Sequence, residues 1–270
     1  MLHSLIPMLA LTLLAGQGGQ AGGPEIVNPH GSYGYLGAPR PKGKGYLPGD
    51  VAHFSFEIKN LKTDANGRVS YSIAIVITDD SGKVFFEQKP YNSFAQTYFG
   101  GTSLPAAARI EIPLDTKPST MHWKVTVTDR TTGKSTFQEG TGAVLPPDFG
   151  LVQIGTFSDA EGKAPMAPVG VVGGQLYLGF GVVGFARGSD KQPNVKVSLQ
   201  IRDEKGKLTT AKPLTGEVNK DIAADVRVIP LHFGLTLDRA GRFTLELSAQ
   251  DQISGKTATV SLPVRILTAE

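Results

Sequence analysis

Apolar and polar side chains alternate, with a period of two residues, along most of the chain that follows its amino terminus. In residues 52–60 the apolar positions are Phe54, Phe56 and Ile58, and polar side chains stand between and after them. Such alternation is typical of a β-strand with one buried face, because successive side chains of a strand point to opposite faces. It excludes a parallel α/β sheet, whose strands are apolar throughout. The pattern predicts an all-β protein of antiparallel strands.

The alternating pattern occurs twice along the chain. A nearly constant shift in numbering carries the strand at residues 52–60 onto residues 176–184, and the turn at residues 79–83 onto residues 203–207. Both turns end in Gly-Lys, where the glycine supplies the positive φ of a hairpin. Each copy supplies about seven short strands with turn signals every 8 to 12 residues, which predicts two tandem antiparallel β-sandwiches.

This duplicated pattern resembles the immunoglobulin-like and fibronectin-III-like sandwiches found in tandem in bacterial exported proteins. The resemblance covers residues 46–139 and 171–266. The Cys-Trp-Cys spacing of antibody domains is absent, and Trp123 corresponds to Leu245 of the second copy. The resemblance implies two immunoglobulin-like sandwiches and does not imply a known activity.

An apolar run at residues 5–15 predicts that the protein is exported. The run is too short to span a bilayer and has the length of the apolar region of a signal peptide. Small residues at Gly19 and Ala21 place the predicted cleavage near Ala21. A buried helix is the alternative, and Pro7 and the glycines after residue 15 disfavour it. Because no second long apolar run follows, we expect no stable transmembrane segment in the mature chain, which would be periplasmic, at the cell surface or secreted.

The sequence predicts five segments. They are a signal peptide (residues 1–21), a Gly/Pro-rich arm (22–45), a first sandwich (46–147), a connector (148–170) and a second sandwich (171–270).

Composition excludes several classes of function. The formal net charge is only +3, and Lys and Arg form no concentrated patch, so we expect no nucleic-acid partner. The chain has no cysteine, which excludes disulfides, thiolate catalysis and thiolate zinc sites. With 33 glycines and 18 prolines, the chain should be rich in turns.

One segment carries the spacing of a dinucleotide-binding loop. Residues 179–184 read G-x-G-x-x-G, and Asp203 lies at the distance expected of a ribose-binding carboxylate. That chemistry requires a helix after the loop, and residues 185–194 contain Gly188 and Pro193 without a helical stripe. We therefore predict a closely packed strand at Gly179 and Gly181, and no cofactor.

Neither a metal site nor a catalytic site is predicted. Turn carboxylates offer oxygen ligands for calcium, but ordinary turns also favour aspartate, so calcium binding at these turns stays open. The histidines within the sandwiches lie on outward faces of three separate strands without metal-ligand spacing, and no G-x-S-x-G occurs. A Ser-His-Asp site assembled in space is not excluded by these observations. The carboxylates are those of Asp79, Asp80, Asp129, Asp203 and Asp251, and the histidines are His53, His122 and His232.

Four aromatic residues distinguish the first copy from the second. A predicted loop at residues 90–101 contains Tyr91, Phe94, Tyr98 and Phe99, whereas residues 213–224 of the second copy contain no aromatic ring. These rings either contact a ligand or partner, or cover the edge of their own sandwich or the seam between domains. We expect at least two of the four to be structural, and name all four as candidate contact residues.

These features predict a non-catalytic exported interaction or spacer module. Its expected partner is an envelope protein or a polysaccharide. The first alternative is a carbohydrate- or peptide-binding module that uses the aromatic loop, which would require exposed and coplanar rings. The second alternative is an enzyme with a site between the domains.

Overall fold

A computed structural model describes residues 17–19 and 22–269, and within these residues every regular element is a β-strand. The predicted signal peptide lies outside the described residues, apart from one short strand at residues 17–19. The strands of the first copy are β1 (Gln17–Gly19), β2 (Glu25–Tyr33), β3 (Ala38–Pro39), β4 (Val51–Lys59), β5 (Arg68–Thr78), β6 (Val84–Gln96), β7 (Ser103–Glu111), β8 (Ser119–Asp129) and β9 (Ser135–Val144).

The second copy repeats this series of strands. They are β10 (Gly150–Phe157), β11 (Val169–Val171), β12 (Gln175–Val183), β13 (Val195–Asp203), β14 (Leu214–Val218), β15 (Val228–Thr236), β16 (Gly241–Asp251) and β17 (Thr257–Leu267).

The strands form four sheets whose order confirms the duplication. Sheet A has the order β1-β9-β8-β5-β6, and sheet D has the equivalent order β11-β17-β16-β13-β14. Sheet B has the order β3-β2-β4-β7, and sheet C repeats its last three strands as β10-β12-β15. Strand β11 pairs with β17 in parallel, whereas β5 pairs with β6 and β8, β12 with β10 and β15, and β16 with β13 and β17 in the antiparallel sense. The predicted fold class, an all-β protein of antiparallel β-sandwiches, is therefore confirmed.

Backbone hydrogen bonds repeat between the copies as well. Gly49 donates its N–H to Ile112 at 2.9 Å, and Gly173 donates to Leu237 at 2.7 Å. The two glycines have almost the same conformation, with φ values of 90° and 89°. Only glycine adopts this backbone readily, so the same residue stands at the same turn in both copies.

The described chain groups into two compact units. The first contains the described residues up to Ile26, Ile58–Leu104 and Ser119–Ala143, and thus sheet A. The second contains Val27–Glu57, Pro105–Pro118 and the chain from Val144 onward, and thus most of sheet B with sheets C and D. The domain boundary after residue 147 stays a prediction.

The core of the second unit lies between sheets C and D. The alternating apolar side chains of β12, β13 and β16 meet there, and each fully buried leucine contributes about 1.5–3 kcal/mol relative to an exposed one. The leucines of these three strands that are at most 2% exposed are Leu176, Leu178, Leu199, Leu245 and Leu247. Their positions are those that the period-two pattern placed on the buried face.

Two segments expected to be irregular contain strands. The predicted arm forms β2 and β3, and the predicted connector forms β10 and β11. Asn28 in β2 and Gln153 in β10 have positive φ angles of 53° and 52°. At Gln153 the register of β10 against β12 also shifts, so alternation is interrupted and the sequence pattern gives no strand signal.

Candidate functional site

The aromatic segment of the first copy is largely a strand and not a loop. Tyr91 and Phe94 lie in β6, at the edge of sheet A, and Tyr98 and Phe99 form the centre of the following turn. The Gly100 N–H closes this turn on the Thr97 carbonyl at 3.0 Å. The prediction of a loop over residues 90–96 was wrong, because a bulge in β6 near Pro90 and the polar residues beside it obscure the alternation.

All four rings are exposed to solvent. The exposed fractions are 69% for Tyr91, 63% for Phe94, 84% for Tyr98 and 102% for Phe99. The expectation that at least two of them are packed was therefore wrong. Large apolar side chains that are exposed on a folded protein make this segment a candidate interaction surface.

The rings do not form a single flat platform. Tyr91 lies opposite Ile73 of β5, whereas Phe94 lies opposite Ser70. Because partners in register share a face and successive residues alternate, Tyr91 and Phe94 project from opposite faces of sheet A. The Arg68 guanidinium stacks on the Phe94 ring at 4.1 Å from its centroid.

The outer edge of β6 divides into two parts. Sheet A ends at β6, so none of the described strands pairs with this edge. Its first part carries Glu87, Lys89, Pro90 and the bulge, which are features that oppose pairing with another strand. Residues 91–96 contain no charge and no proline. Only this second part is chemically suited to accept another strand.

Hydrogen bonds hold the aromatic turn in place. The Thr97 N–H and hydroxyl both donate to the Gly67 carbonyl, each at 2.9 Å. The Gln96 amide donates to the Asn66 carbonyl beside it. The neighbouring turn is itself closed by Asp64, whose carboxylate accepts the Asn66 N–H at 2.8 Å. Tyr98 and Phe99 are thus presented on a preorganised turn, which lowers the entropic cost of binding.

Two of the carboxylates considered as calcium ligands accept hydrogen bonds within their own turns. Asp79 accepts the N–H groups of Ser81 and Lys83, and Asp203 accepts those of Lys205 and Lys207, at 2.9 to 3.0 Å. The Ser81 hydroxyl holds the pKa of Asp79 below its ordinary value. Among the described residues, no three His, Cys, Asp or Glu side chains are grouped as metal ligands.

Asp129 and Asp251 play the same structural part in the two copies. Asp129 accepts the Lys62 N–H, and Asp251 accepts the Ala186 N–H, both at 2.9 Å. Burial alone would raise the pKa of Asp129, but the N–H groups of Lys62 and Thr131 outweigh it and the pKa lies below its ordinary value. Each carboxylate fastens a loop to the end of a strand.

The G-x-G-x-x-G segment serves packing. Residues 179–183 continue β12, and a Cβ on Gly179 would lie 2.8 Å from the Phe157 ring. Gly184 has a φ of 65°, and a Cβ there would lie 2.2 Å from the Asp148 carbonyl oxygen. The residues after it form no helix that could hold a pyrophosphate. The predicted closely packed strand is present.

The three histidines are separated in the fold. His53 lies in β4, His122 in β8 and His232 in β15, and thus in three different sheets. His122 is exposed and its Nε2 lies 3.2 Å from Asp80 Oδ1. His53 is half-buried, and burial followed by the nearby Arg109 charge lowers its pKa to about 4.

Sequence reasoning missed a buried ionic cluster in the predicted arm. Arg40 pairs with Asp50 at 2.8 Å, and their side chains are only 10% and 2% exposed. The guanidinium stacks on Tyr46 at 4.1 Å and lies 5.1 Å from the Tyr33 centroid. Asp50 also accepts the Gln153 N–H at 2.8 Å. Arg40 and Asp50 are ten residues apart in the sequence, and no local pattern marks them as a pair.

Among known proteins, this chain has only remote structural similarity to solved structures. No protein-family model matches the chain, and no curated protein matches it. A β-glucuronidase of Bacteroides uniformis matches with 11% identity and a TM-score of 0.38, over 80% of this chain and 26% of that protein.

Two further structures show similarity of the same kind. A calcium-binding mutant of Bacteroides uniformis β-glucuronidase 2 matches with 9% identity and a TM-score of 0.37, over 93% of this chain and 32% of that protein. The transglutaminase of red sea bream matches with 10% identity and a TM-score of 0.28, over 90% and 31%. This chain spans only 26–32% of the length of the three proteins, and likeness at these TM-scores assigns it no activity.

No helix in the described part of the chain is long and apolar enough to cross a membrane.

Proposed function

We propose that this protein is a non-catalytic, exported interaction module that binds an envelope protein through β6 and the turn after it. The observation that carries the proposal is the exposure of all four rings, Tyr91, Phe94, Tyr98 and Phe99, in the first copy alone. Duplicated domains share the side chains that their fold requires. Rings that are exposed and present in one copy only are better explained by binding, since aromatic residues are enriched at the centres of interfaces.

The proposed mode of binding is addition of an extended partner segment to the edge of sheet A at residues 91–96. Backbone N–H and C=O groups of the edge would pair with the segment, and the segment's side chains would alternate between the two faces. One set would reach Tyr91 and the other Phe94, because these rings project from opposite faces. A sugar platform would need both rings on one face, so the register favours a protein partner over a polysaccharide.

Two further features of the proposal rest on sequence and topology. Export is supported by the apolar run at residues 5–15 and the small residues after it. We assign the sandwiches to the immunoglobulin-like class because the two copies share seven strands, four in one sheet and three in another. These are β9-β8-β5-β6 with β2-β4-β7 in the first copy, and β17-β16-β13-β14 with β10-β12-β15 in the second.

A photo-crosslinking experiment in the producing cell tests the proposal. A benzophenone side chain placed at Tyr98 should crosslink to one defined envelope protein, identified by mass spectrometry. Leu214 is the matched control, because it is 45% exposed and lies in β14, the equivalent edge strand of the second copy. The purified partner should then bind the wild-type protein and bind the Tyr98→Ala variant more weakly. Equal crosslinking from both positions, or equal binding of both proteins, would contradict the proposal.

A further inference from the structure

The second compact unit carries a groove on the outer face of sheet C. It has a volume of about 370 Å³ and lies along β10, β12 and β15 beside the segment that follows β10. This groove is separate in the sequence from the rings of β6. Its use as a site therefore stands or fails independently of the proposed function.

Glycines shape the floor of the groove. A Cβ on Gly179 would lie 2.8 Å from the Phe157 ring, and one on Gly234 would lie 3.1 Å from the Tyr177 ring. The two rings therefore lie directly against strand backbone that has no side chain of its own. The His232 ring meets Tyr177 edge-on, with the centroids 6.0 Å apart. The floor is an aromatic surface with room above it.

The polar lining of the groove consists mainly of hydrogen-bond acceptors. Asp159 and Glu161 supply carboxylates, and no lysine or arginine is among the described residues that line the groove. Asp159 accepts the Lys163 N–H at 2.9 Å on one oxygen and the Ala164 N–H on the other, and these bonds hold its pKa below the ordinary value against the opposing effect of burial. Asp159 therefore contributes a fixed negative charge to the lining, and Glu161 is the carboxylate that remains to bind a ligand. One N–H of the Gln153 amide donates to the Gly49 carbonyl at 2.9 Å, and its carbonyl oxygen is a further acceptor.

We propose that this groove binds an organic cation, a guanidinium or an ammonium group, at the Glu161 carboxylate, near the fixed charge of Asp159 and against the ring of Tyr177. Such a group has only donors and a positive charge, which match the acceptors and the net negative charge of the lining. An aromatic face attracts the same cation through its quadrupole. The cation belongs either to an arginine or lysine side chain of a peptide or to a free amine.

A neutral saccharide fits the lining less well. Sugar hydroxyls present acceptors as well as donors, and the side-chain donors of this lining are the Tyr177 hydroxyl, one ring N–H of His232 and the second N–H of the Gln153 amide. A saccharide would therefore meet more acceptors than donors among these side chains. The balance of donors and acceptors therefore favours the cation.

An NMR titration of the full chain tests the proposal. The probes are N-acetyl-arginine methylamide, its neutral isostere N-acetyl-citrulline methylamide, free agmatine and methyl glucoside. The arginine probe should shift amide signals of β10, β12, β15 and residues 158–164 saturably, and citrulline and the glucoside should not. Agmatine binding as tightly as the arginine probe would indicate a free amine as the ligand. Tighter binding of the arginine probe would indicate a peptide, and either result supports the cation.

Variants separate recognition of charge from a general effect on the fold. Glu161→Gln should weaken binding of the arginine probe about twofold to fivefold, the range expected for one partly exposed ionic contact. Tyr177→Leu should weaken it by a similar factor through loss of the aromatic face. Glu204→Gln, which removes an exposed charge outside the groove, is the matched control and should leave the affinity unchanged. All variants should melt at the wild-type temperature within a few degrees.

Three results would overturn the proposal. They are equal binding of the citrulline probe, binding of the glucoside alone, and unchanged affinity in folded Glu161→Gln and Tyr177→Leu variants.

Discussion

Arg40 and Asp50 illustrate how much a single buried charge depends on its partner. Asp50 is 2% exposed and accepts hydrogen bonds from Arg40 and from the Gln153 N–H. Removal of one member of a buried pair leaves the other charge in a medium of low dielectric constant without compensation. We expect Arg40→Ala to lower the free energy of unfolding by about 3–5 kcal/mol, as measured by urea denaturation.

A surface ion pair provides the control for Arg40. Arg109 and Glu111 lie 2.9 Å apart and are 61% and 69% exposed. Because water screens exposed charges, Arg109→Ala should change the unfolding free energy by less than about 1 kcal/mol. If Arg40→Ala and Arg109→Ala had equal effects, the ion pair of Arg40 would not be buried as described.

The lowered pKa of His53 makes the free energy of unfolding depend on pH. Burial, followed by the Arg109 charge, lowers its pKa from 6.5 to about 4. The folded state then binds fewer protons than the unfolded state between about pH 6.5 and 4, so stability falls as the pH falls through this window. This pKa shift corresponds to a loss of at most about 3 kcal/mol of unfolding free energy. Because His53 is partly exposed to solvent, we expect a loss of about 2 kcal/mol.

Urea denaturation at pH 7, 6 and 5 measures this dependence, with His53→Gln as the comparison. The variant has no titrating group at this position, and its stability should fall less between pH 7 and 5 than that of the wild-type protein. Parallel curves for the two proteins would show that His53 does not carry the effect.

At the scale of the element, we expect the rings of β6 and its turn to contribute to binding and not to the stability of sheet A. Alanine at Tyr91, Phe94, Tyr98 or Phe99 removes a ring that is at least 63% exposed, so each variant should melt within a few degrees of the wild-type protein. Each should bind the crosslinked partner more weakly, because interface aromatics contribute strongly to affinity. Thermal melts and calorimetric titration check the two parts of this prediction.

Trp123→Ala is the contrasting change in the same sheet. The indole is half-buried, and a Cβ on Gly140 of β9 would lie 2.5 Å from its Cζ2 atom. Its removal should destabilise the protein by roughly 2–4 kcal/mol, somewhat less than a fully buried tryptophan would. If the ring variants of β6 were as destabilising as Trp123→Ala, the rings would be structural and the proposed binding surface would be wrong.

At the scale of the whole molecule, Gln153 tests how a strained residue is stabilised by distant parts of the chain. Its φ of 52° is unfavourable for a residue with a side chain, and its N–H and amide bond Asp50 and Gly49. A fragment of residues 148–270 retains the core between sheets C and D and should fold, as the sequence predicts. That fragment lacks both partners of Gln153.

Gln153→Gly should therefore have opposite consequences in the two contexts. In the fragment it should raise the unfolding free energy by about 1 kcal/mol, because glycine relieves the positive φ at no cost in contacts. In the full chain the lost bond to Gly49 should cancel or exceed this gain. Urea denaturation of both pairs measures the difference, and equal stabilisation in both contexts would show that the side-chain bond to Gly49 contributes nothing.

The sequence by itself determined the duplication, most strands of the two copies and the buried faces of the strands in the second copy. Each of these follows from local chemistry: period-two alternation selects the face of a strand, and glycine selects the turns with positive φ. For this reason residues 176–182 and the turns at Gly82 and Gly206 could be assigned without a structure. The packing role of Gly179 followed from the same argument.

Only the tertiary structure decided the exposure of the four rings and the partners of the buried charges. A bulge near Pro90 and the positive φ angles of Asn28 and Gln153 interrupt the alternation, so the strands around them leave no periodic signal. The Arg40–Asp50–Gln153 cluster and the groove beside Tyr177 join residues from separate parts of the chain. Hydrogen bonds and cavities between distant segments depend on how sheets pack, and packing has no period along a sequence.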